Sequence, residues 1–547
     1  MMNNRGKMGG RTFNKPKNRK YALKRIWDYV VKFKWWLSLA LILTILTNLF
    51  SLFGPTLTGY AIGAIEPGKG AVDFNEVYKY ALLLLLFYAL NSIFSFILSI
   101  LMMNISKKIV FKLRKDCFDT LVNLPVSYFD QNQTGDIISK MSYDIDTINT
   151  SLSSDIIHIC TAVITVIGSF IMMFTLSPIL ILVFVITIPI SLLFTRFMLK
   201  RTHKLFKRRS QSLGELNGYV EEMITGTKTI TAYGQEKKII DEFDIANKEA
   251  VEAAYKAEFY GGITGPGVNF VNNLSLALVC MFGSILYIFN KLTLRQISSF
   301  VLYSRKFSGP INEVANIFVD IQSALAAAER VFGLIDEPLE KKDNEDAIEL
   351  EVVEGNIEFK DVEFGYIEDK VIIHDLNFTA LKGKTVAIVG PTGAGKTTIV
   401  NLLMRFYDIN RGNISLDKHS IYDIKRKNLR LSYAMVLQDT WLFEGSVFDN
   451  IAYGKENVTN DEVIKAAKAA HIHSFIERLP DGYNTILSED GINISKGQKQ
   501  LLTIARAMLL DAKMLILDEA TSNVDTRTEV KIQEAMKTLM KDGFVVK

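Results

Sequence analysis

The chain contains few cysteines and almost no excess of charge of either sign. Three cysteines occur in 547 residues, far apart in the sequence, at Cys117, Cys160 and Cys280. This spacing excludes a disulfide framework or a cysteine metal cluster and predicts reduced thiols. The net charge of +4 gives no basis for binding nucleic acid through bulk charge, so we expect no nucleic-acid partner.

Charged residues are also missing from several long apolar stretches. Residues 35–65, 81–106 and 259–290 carry none, and residues 156–195 form an uncharged run of twice the length that one span needs. A helix crosses the hydrocarbon core with roughly 20 apolar residues. We therefore predict one span in each of the first three stretches and two in the fourth, divided at Ser177-Pro178.

A sixth span is predicted over residues 297–321, although charged residues interrupt it at Arg305, Lys306 and Glu313. An ionisable residue inside a span is costly unless it faces a cavity or a partner. Arg305 and Lys306 therefore line a polar translocation path, or snorkel to the membrane surface, or form a salt bridge to Glu313 or to a neighbouring helix.

The distribution of basic residues predicts the orientation. Lysine and arginine crowd the segments between spans two and three and between spans four and five. The positive-inside rule places these segments and both termini in the cytoplasm of a multi-pass protein of the cell membrane. Both segments have a helical pattern, so we expect spans two to five to extend as long helices. Residues 21–33 mix aromatic and basic residues at helical spacing and predict an amphipathic helix on the membrane surface.

The composition changes near residue 336, where a charged linker begins. Beyond Ile357, short β-branched strands alternate with helical stretches, as in an α/β domain. The sequence thus predicts a multidomain membrane protein with an all-α six-helix transmembrane domain followed by an α/β P-loop domain. The predicted divisions are residues 1–34 (basic N-terminus and interfacial helix), 35–335 (transmembrane domain), 336–354 (linker) and 355–547 (nucleotide-binding domain).

The run Gly390-Pro-Thr-Gly-Ala-Gly-Lys-Thr397 fits the P-loop pattern G-x-x-x-x-G-K-[ST]. It follows a predicted strand over residues 385–389 and precedes a helical run. Glycines let backbone N–H groups approach phosphates, a lysine reaches the β- and γ-phosphates, and a Thr hydroxyl ligates Mg²⁺. The predicted cofactors are ATP and Mg²⁺. The predicted ATP-binding residues of this loop are Gly390, Thr392, Gly393, Ala394, Gly395, Lys396, Thr397 and Thr398, with Thr397 also a metal ligand.

A second nucleotide-binding element, which contains two acidic residues, lies about 120 residues after the P-loop. Residues 513–517 predict a buried strand that ends in Asp518 and Glu519. The first carboxylate suits Mg²⁺ positioning, and the second suits a general base toward the attacking water.

The run Ile494-Ser-Lys-Gly-Gln498 resembles the signature sequence of ATP-binding-cassette (ABC) proteins. Residues 124–136 look like the first cytoplasmic coupling segment of multidrug-type exporters, and residues 308–312 and 322–332 look like their sixth span and its exit. The resemblance implies roles for Tyr366 (stacking on adenine), Gln438 (sensing Mg²⁺ and the attacking water), the signature residues Ser495, Gly497 and Gln498 (closing over ATP on the opposite subunit) and Asp525 (linking the two sites).

The family implies a working unit of two such chains, so we expect a second ABC half-transporter as partner. Lys496 stands where the usual signature has glycine, which resembles one subunit of heterodimeric exporters. A heterodimer is therefore favoured, and a homodimer stays open. None of the six histidines matches the family's switch histidine, and the sequence ends before it, so a C-terminal truncation is expected.

The expected activity is ATP hydrolysis coupled to export of hydrophobic or amphipathic small molecules, in contact with membrane lipids. Two alternatives stay open: a lipid or peptide exporter, and a truncated ATP-binding regulatory subunit without transport. The first 100 residues contain no cysteine, which disfavours a peptide exporter with its own leader protease.

Overall fold

A computed structural model describes residues 18–65, 72–367, 370–391, 393–437, 440–488, 494–517, 526–539 and 544–546, except for the side chains of 311–316, 526–528, 537–539 and 544–546. The chain folds as two compact units. The first comprises Met1–Val122 and Thr134–Glu337, and the second comprises Asn123–Gln133 and Pro338–Lys547. The short segment Asn123–Gln133, which lies inside the predicted transmembrane domain, therefore belongs to the second unit.

The first unit is helical throughout. Its helices are α1 Arg19–Val30, α2 Lys34–Gly63, α3 Phe74–Val122, α5 Thr134–Ser139, α6 Ile145–Thr150, α7 Ile156–Leu176, α8 Pro178–Thr225, α9 Thr227–Ala232, α10 Glu236–Ile288 and α11 Leu294–Ile335, and α4 (Val126–Gln131) belongs to the second unit. A short 3₁₀ turn, Val31–Phe33, joins α1 to α2, and two π-helical turns, Lys140–Asp144 and Ser151–Asp155, join α5, α6 and α7.

The long helices exceed the thickness of a bilayer, as predicted. Helices α3, α8 and α10 contain 49, 48 and 53 residues. At about 1.5 Å per residue each is more than about 70 Å long, over twice the roughly 30 Å of a hydrocarbon core. Among the described residues, five helices are long and apolar enough to cross a membrane. Helix α11, the predicted sixth span with its interrupting charges, is not one of these five.

The turn between the third and fourth predicted spans lies where the sequence placed it. Helix α7 ends at Leu176, and α8 begins with Pro178. Ser177 is extended, and its hydroxyl accepts a hydrogen bond from the Leu180 N–H, which caps α8. Proline at the first helical position costs no hydrogen bond, because that N–H has no partner in the helix.

Helices α8 and α10 pack closely side by side. A Cβ at Gly267 would lie 2.3 Å from the tip of the Phe194 ring, so a larger residue there would force this ring to move. The buried hydroxyls of Thr187 and Ser275 join the same two helices at 3.1 Å. The glycine-rich stretch that opens the predicted fifth span is therefore a contact surface within a continuous helix.

Helix α11 carries buried polar groups bonded to α2. The Lys306 ammonium donates to the Ser51 carbonyl and, at 2.6 Å, to the Ser51 hydroxyl. Tyr303 is fully buried, and its hydroxyl bonds the Leu52 carbonyl at 2.5 Å. Of the two interpretations of Lys306, these contacts match pairing with a neighbouring helix. The side chain of Glu313 lies outside the described residues.

The second unit combines two sheets with helices around them. Its strands are β1 Ile357–Phe364, β2 Ile373–Ala380, β3 Thr385–Val386, β4 Arg411–Leu416, β5 His419–Ser420, β6 Tyr433–Val436, β7 Gly445–Ser446, β8 Ile486–Leu487, β9 Met514–Leu517 and β10 Phe544–Val546. Its helices, besides α4, are α12 Lys396–Leu403, α13 Arg426–Leu431, α14 Val447–Ala452, α15 Asn460–Ala469, α16 His473–Ile476, α17 Lys496–Leu510 and α18 Thr526–Leu539, with a 3₁₀ turn at Gly482–Asn484.

One sheet is antiparallel, in the order β2-β1-β4-β5, and the other is parallel, in the order β3-β10-β9-β6. Strands β7 and β8 form a separate antiparallel pair. Strand β9 is buried along its whole length. The predicted strand before the P-loop is shorter than expected, because β3 ends at Val386.

Candidate nucleotide-binding site

The P-loop adopts the backbone conformation that its glycines permit. Gly393 and Gly395 have φ angles of +89° and +90°, a region that favours glycine. Gly395 caps α12, so the first N–H groups of this helix and its positive dipole end lie at the loop. The arrangement is a cradle for an anionic phosphate group.

The Lys396 side chain is held within this loop. Its ammonium donates to the carbonyl oxygens of Gly390 at 2.9 Å and Pro391 at 3.2 Å. An ammonium has three donors, so this position leaves a donor for a phosphate oxygen. Ala394 closes the turn by donating to Pro391 O at 3.1 Å.

The two threonines after the lysine have different surroundings. Thr397 is exposed on the first turn of α12, where a hydroxyl can reach a metal ion beside the phosphates. Thr398 is 6% exposed, and its hydroxyl accepts a hydrogen bond from Tyr366 at 3.3 Å. Thr398 therefore contributes by holding Tyr366.

Tyr366 forms an aromatic platform next to the P-loop helix. Its ring is 41% exposed and meets the rings of Phe364 and Tyr407 edge-on, at centroid distances of 5.0 and 4.8 Å. Asn401, one turn along α12 from the lysine, donates to the Tyr366 hydroxyl at 3.2 Å. A half-exposed ring fixed in this way can stack on an adenine base. Sequence reasoning missed Asn401 and Tyr407, although Asn401 follows Lys396 on the same helix.

The signature residues form a helix cap. Ser495 is the N-cap of α17, its hydroxyl accepts from the Gln498 N–H at 3.3 Å, and the Gln498 side chain accepts from the Ser495 N–H at 2.9 Å. Gly497 is buried and Lys496 is exposed. The helix therefore presents its N-terminus and a lysine together, a combination that suits an anion.

Five predicted site residues lie outside the described residues: Thr392, Gln438, Asp518, Glu519 and Asp525. Strands β6 and β9 lead toward three of them. These strands are parallel neighbours, with Val436 paired to Leu517 at their carboxyl ends. The roles of Gln438, Asp518 and Glu519 stay predictions.

The segment that resembles a coupling segment contacts the nucleotide-binding part of the second unit. The Tyr407 hydroxyl donates to the Asp130 carboxylate, and the Asn123 carbonyl accepts from the Glu340 N–H at 3.0 Å. Burial, together with the bond to Asp130, raises the pKa of Tyr407. The phenol therefore stays a hydrogen-bond donor at physiological pH.

Two family models match the chain. The model described as ABC transporter transmembrane region matches residues 37–311, and the model described as ABC transporter matches residues 373–522. With the P-loop, the aromatic platform and the signature cap in one unit, these matches define an ABC ATPase fused to a helical transmembrane domain. The chain belongs to the ABC transporter family, as an exporter half-transporter that couples ATP hydrolysis to transport.

Similar proteins agree with this assignment. The chain is 41% identical to the uncharacterised ABC transporter ATP-binding protein YfiC of Bacillus subtilis, over 98% of this chain and 88% of that protein. It is 41% identical to a fatty acid ABC transporter ATP-binding/permease protein of Mycobacterium tuberculosis, over 88% of this chain and 76% of that protein. The structure of a bacterial Atm1-family ABC exporter with ATP bound superposes with a TM-score of 0.71 at 27% identity, covering 94% of this chain and 90% of that one.

Proposed function

We propose that this chain is half of a dimeric exporter that moves amphipathic anions across the cytoplasmic membrane at the expense of ATP. This proposal rests on a groove of 1130 Å³ along α8, which is lined by both apolar and basic side chains. Its lining residues are Leu192, Thr195, Arg196, Leu199, Lys200, Thr202, His203, Lys204, Phe206 and Val319.

The spacing of these residues supports an amphipathic substrate. Arg196, Lys200 and Lys204 follow one another at four-residue intervals, so they share one face of the helix. Leu192, Leu199 and Phe206 recur at seven-residue intervals and form an apolar stripe next to the basic one. An apolar tail with an anionic head group complements both stripes. The names of two relatives, a fatty acid transporter and the ATP-dependent lipid A-core flippase of Aliivibrio fischeri, favour a lipid-like substrate of this kind.

The energy source in this proposal is Mg²⁺-ATP. The loop from Gly390 to Thr397 would hold the phosphates, Tyr366 would stack on the base, and the Thr397 hydroxyl would contribute a metal ligand. Mg²⁺ would neutralise the developing phosphate charge. Glu519 is proposed as the general base and Gln438 as the residue that senses the metal and the water. We propose cytoplasmic termini on the basis of the basic segments.

The partner is proposed to be a second, different half-transporter. Lys496 is exposed on the first turn of α17, where the usual signature has glycine. A lysine side chain there changes how this surface can approach ATP held by the opposite subunit. A partner chain with the usual signature would supply the second, regular site.

The test is stimulation of ATP hydrolysis by amphiphiles of equal chain length and opposite charge. The dimer is reconstituted in liposomes, and decanoate is compared with decyltrimethylammonium below their micellar concentrations. Decanoate should stimulate hydrolysis and the cation should not. In Arg196→Gln, half-maximal stimulation should require about tenfold more decanoate, the effect of losing about 1.4 kcal/mol.

Arg208→Gln is the matched control, because Arg208 lies on the same helix but is 3.7 Å from Glu249 of α10. Exposed pairs of this kind contribute at most about 1 kcal/mol. Equal stimulation by the anion and the cation, or equal effects of the two substitutions, would reject the anionic specificity.

A further inference from the structure

Two arginines are buried together in the second unit, away from the P-loop. Arg405 follows α12 and Arg426 opens α13, and each is 7% exposed. Both approach one carboxylate of the linker, Asp343, whose Oδ1 lies 3.6 Å from Arg405 Nη1 and 3.4 Å from Arg426 Nη1. Buried charges need close pairing to offset their lost hydration. For Arg405 this is weak pairing, whereas Arg426 is held more firmly, since its Nη1 also donates to the Lys341 carbonyl oxygen and its backbone N–H donates to Asp343 at 3.0 Å.

The neighbouring acidic residues are also engaged by other cations. Glu340 accepts from Arg430 at 2.5 Å and lies 3.8 Å from Arg426. Asp408 is 3.2 Å from Lys341 and 3.8 Å from Arg405. Every carboxylate near Arg405 is therefore shared with a second cation.

The guanidinium of Arg405 is fixed in place but incompletely bonded. Its Nη1 donates to the carbonyl oxygens of Ile421 and Ile424 at 3.1 and 3.5 Å, and the Tyr422 ring covers it at 4.8 Å. Its buried Nε has no hydrogen-bond partner among the described residues. An unsatisfied buried donor is destabilising. Burial, and then the neighbouring Arg426, lower the pKa of Arg405, while Asp408 and Asp343 act in the opposite direction.

A cavity of 430 Å³ opens beside this arginine. Four of its lining residues are cationic and one, Asp408, is acidic. The lining consists of Lys341, Lys342, Asn344, Arg405, Asp408, Ile409, Asn410, Arg411, Gly412 and Tyr422. None of the P-loop residues lies among them. The cavity is therefore a second basic site, with a net lining charge that favours a multivalent anion.

We propose that this cavity binds a phosphate-class oxyanion, such as a pyrophosphate or phosphate monoester group. Arg405 lines the inner wall of the cavity, where its positive charge favours the anion, and Lys342 and Arg411 supply further positive charge at the rim. Arginine forks and lysine ammonium groups are the donors that such oxyanions prefer. The walls come from the linker on one side and from the start of β4 on the other, so the bound anion ties the linker to the nucleotide-binding fold.

The experiment titrates inorganic pyrophosphate into the purified full-length dimer by calorimetry. Lys396→Ala is combined with the equivalent lysine substitution in the partner chain, because the two changes disable both P-loops of the dimer as competing phosphate sites. We expect one remaining site on this chain. Its affinity should fall about tenfold or more with Arg411→Gln, a rim substitution that leaves the buried arginines in place.

Lys418→Gln is the control, since Lys418 is an exposed lysine at the opposite end of β4 and removes the same charge. It should leave pyrophosphate binding unchanged. No residual binding in the Lys396→Ala background would overturn the proposal, and so would equal affinities in the Arg411→Gln and Lys418→Gln variants. Pyrophosphate binding at this cavity does not depend on which substrate the exporter moves, so this experiment and the test of anionic substrates can fail separately.

Lipid head groups and free phosphates share this chemistry, so the titration is repeated in phosphatidylcholine nanodiscs with and without phosphatidic acid. If phosphatidic acid suppresses pyrophosphate binding, the natural ligand is a lipid head group. If binding is unaffected, the ligand is a free anion. Either result retains the site.

Discussion

The Tyr407 hydroxyl donates a hydrogen bond to the Asp130 carboxylate, while the Tyr407 ring packs edge-on against Tyr366 at 4.8 Å. One side chain thus contacts both the segment that resembles a coupling segment and the aromatic platform proposed for adenine. A shift of the Tyr366 ring on nucleotide binding would act directly on Tyr407. This contact gives a physical route from the nucleotide site to Asp130.

The first prediction concerns this hydrogen bond. Tyr407→Phe keeps the ring and removes the donor, and Asp130→Asn removes the charge of the acceptor. Each should lower the stimulation of ATP hydrolysis by transported substrate, because a hydrogen bond to a charged group contributes about 1.5–3 kcal/mol. The double variant should be no worse than the worse single variant, since both remove the same interaction. If the double variant lost as much substrate stimulation of ATP hydrolysis as the two single variants together, the two groups would act separately.

A second prediction separates the ring of Tyr366 from its hydroxyl. Tyr366→Ala should weaken ATP binding about three- to tenfold, because stacking of an aromatic ring contributes roughly 0.5–1.5 kcal/mol. Tyr366→Phe should retain most of the affinity, since it loses only the bonds to Thr398 and Asn401. Equilibrium binding of a fluorescent ATP analogue measures the ATP affinity of both variants. If the two variants bind equally weakly, the ring is not the platform.

A third prediction addresses the π-helical turn before α6. Arg330 of α11 donates to both oxygens of Asp144, through Nε at 2.8 Å and Nη2 at 2.6 Å, and Asp144 is 3% exposed. Asp144→Asn should lower the free energy of unfolding by about 1–3 kcal/mol, because a buried charged acceptor is lost while Arg330 stays partly hydrated.

The matched control for that substitution is Asp146→Asn. Asp146 pairs with Arg114 at 2.8 Å, but the two side chains are 61% and 49% exposed. Pairs at this exposure contribute about 0–1 kcal/mol. Thermal unfolding in detergent should therefore show a clear decrease in Tm for Asp144→Asn and a small one for Asp146→Asn. Equal decreases would mean that burial of the pair does not contribute.

A fourth prediction follows from the proposed general base. Glu519→Gln keeps the size of the side chain and removes its basicity, so ATP turnover by the dimer should fall about 10²- to 10⁴-fold. ATP binding should persist, because the phosphates are held by the P-loop. Single-turnover and binding assays distinguish the two steps. Near-normal turnover would show that another group accepts the proton.

Local sequence signals predicted the parts of the structure that depend on neighbouring residues. Ser177 and Pro178 form the predicted boundary between α7 and α8 because a cap and a proline act within one turn. The P-loop glycines are equally local. The cap formed by Ser495 and Gln498 follows the S-x-x-Q pattern and could have been predicted in the same way.

Contacts between distant parts of the chain were beyond sequence reasoning. Lys306 meets Ser51 across 255 residues, and Tyr407 meets Asp130 across 277. Such pairs depend on how whole elements pack, which neither periodicity nor spacing specifies. The buried cluster around Arg405 escaped notice for the same reason, because its partners come from the linker and from two separate loops.

ATP-driven export of amphipathic anions is tested most directly by ATP-dependent transport of labelled decanoate into inside-out vesicles that contain the complete dimer. We expect uptake that requires ATP, is lost in Lys396→Ala, and is competed by other amphipathic anions but not by decyltrimethylammonium. Uptake that is unchanged in Lys396→Ala would contradict ATP-driven export by this chain. An ATP-dependent uptake that favours the cation would contradict the assignment of the basic groove on α8 as the substrate site.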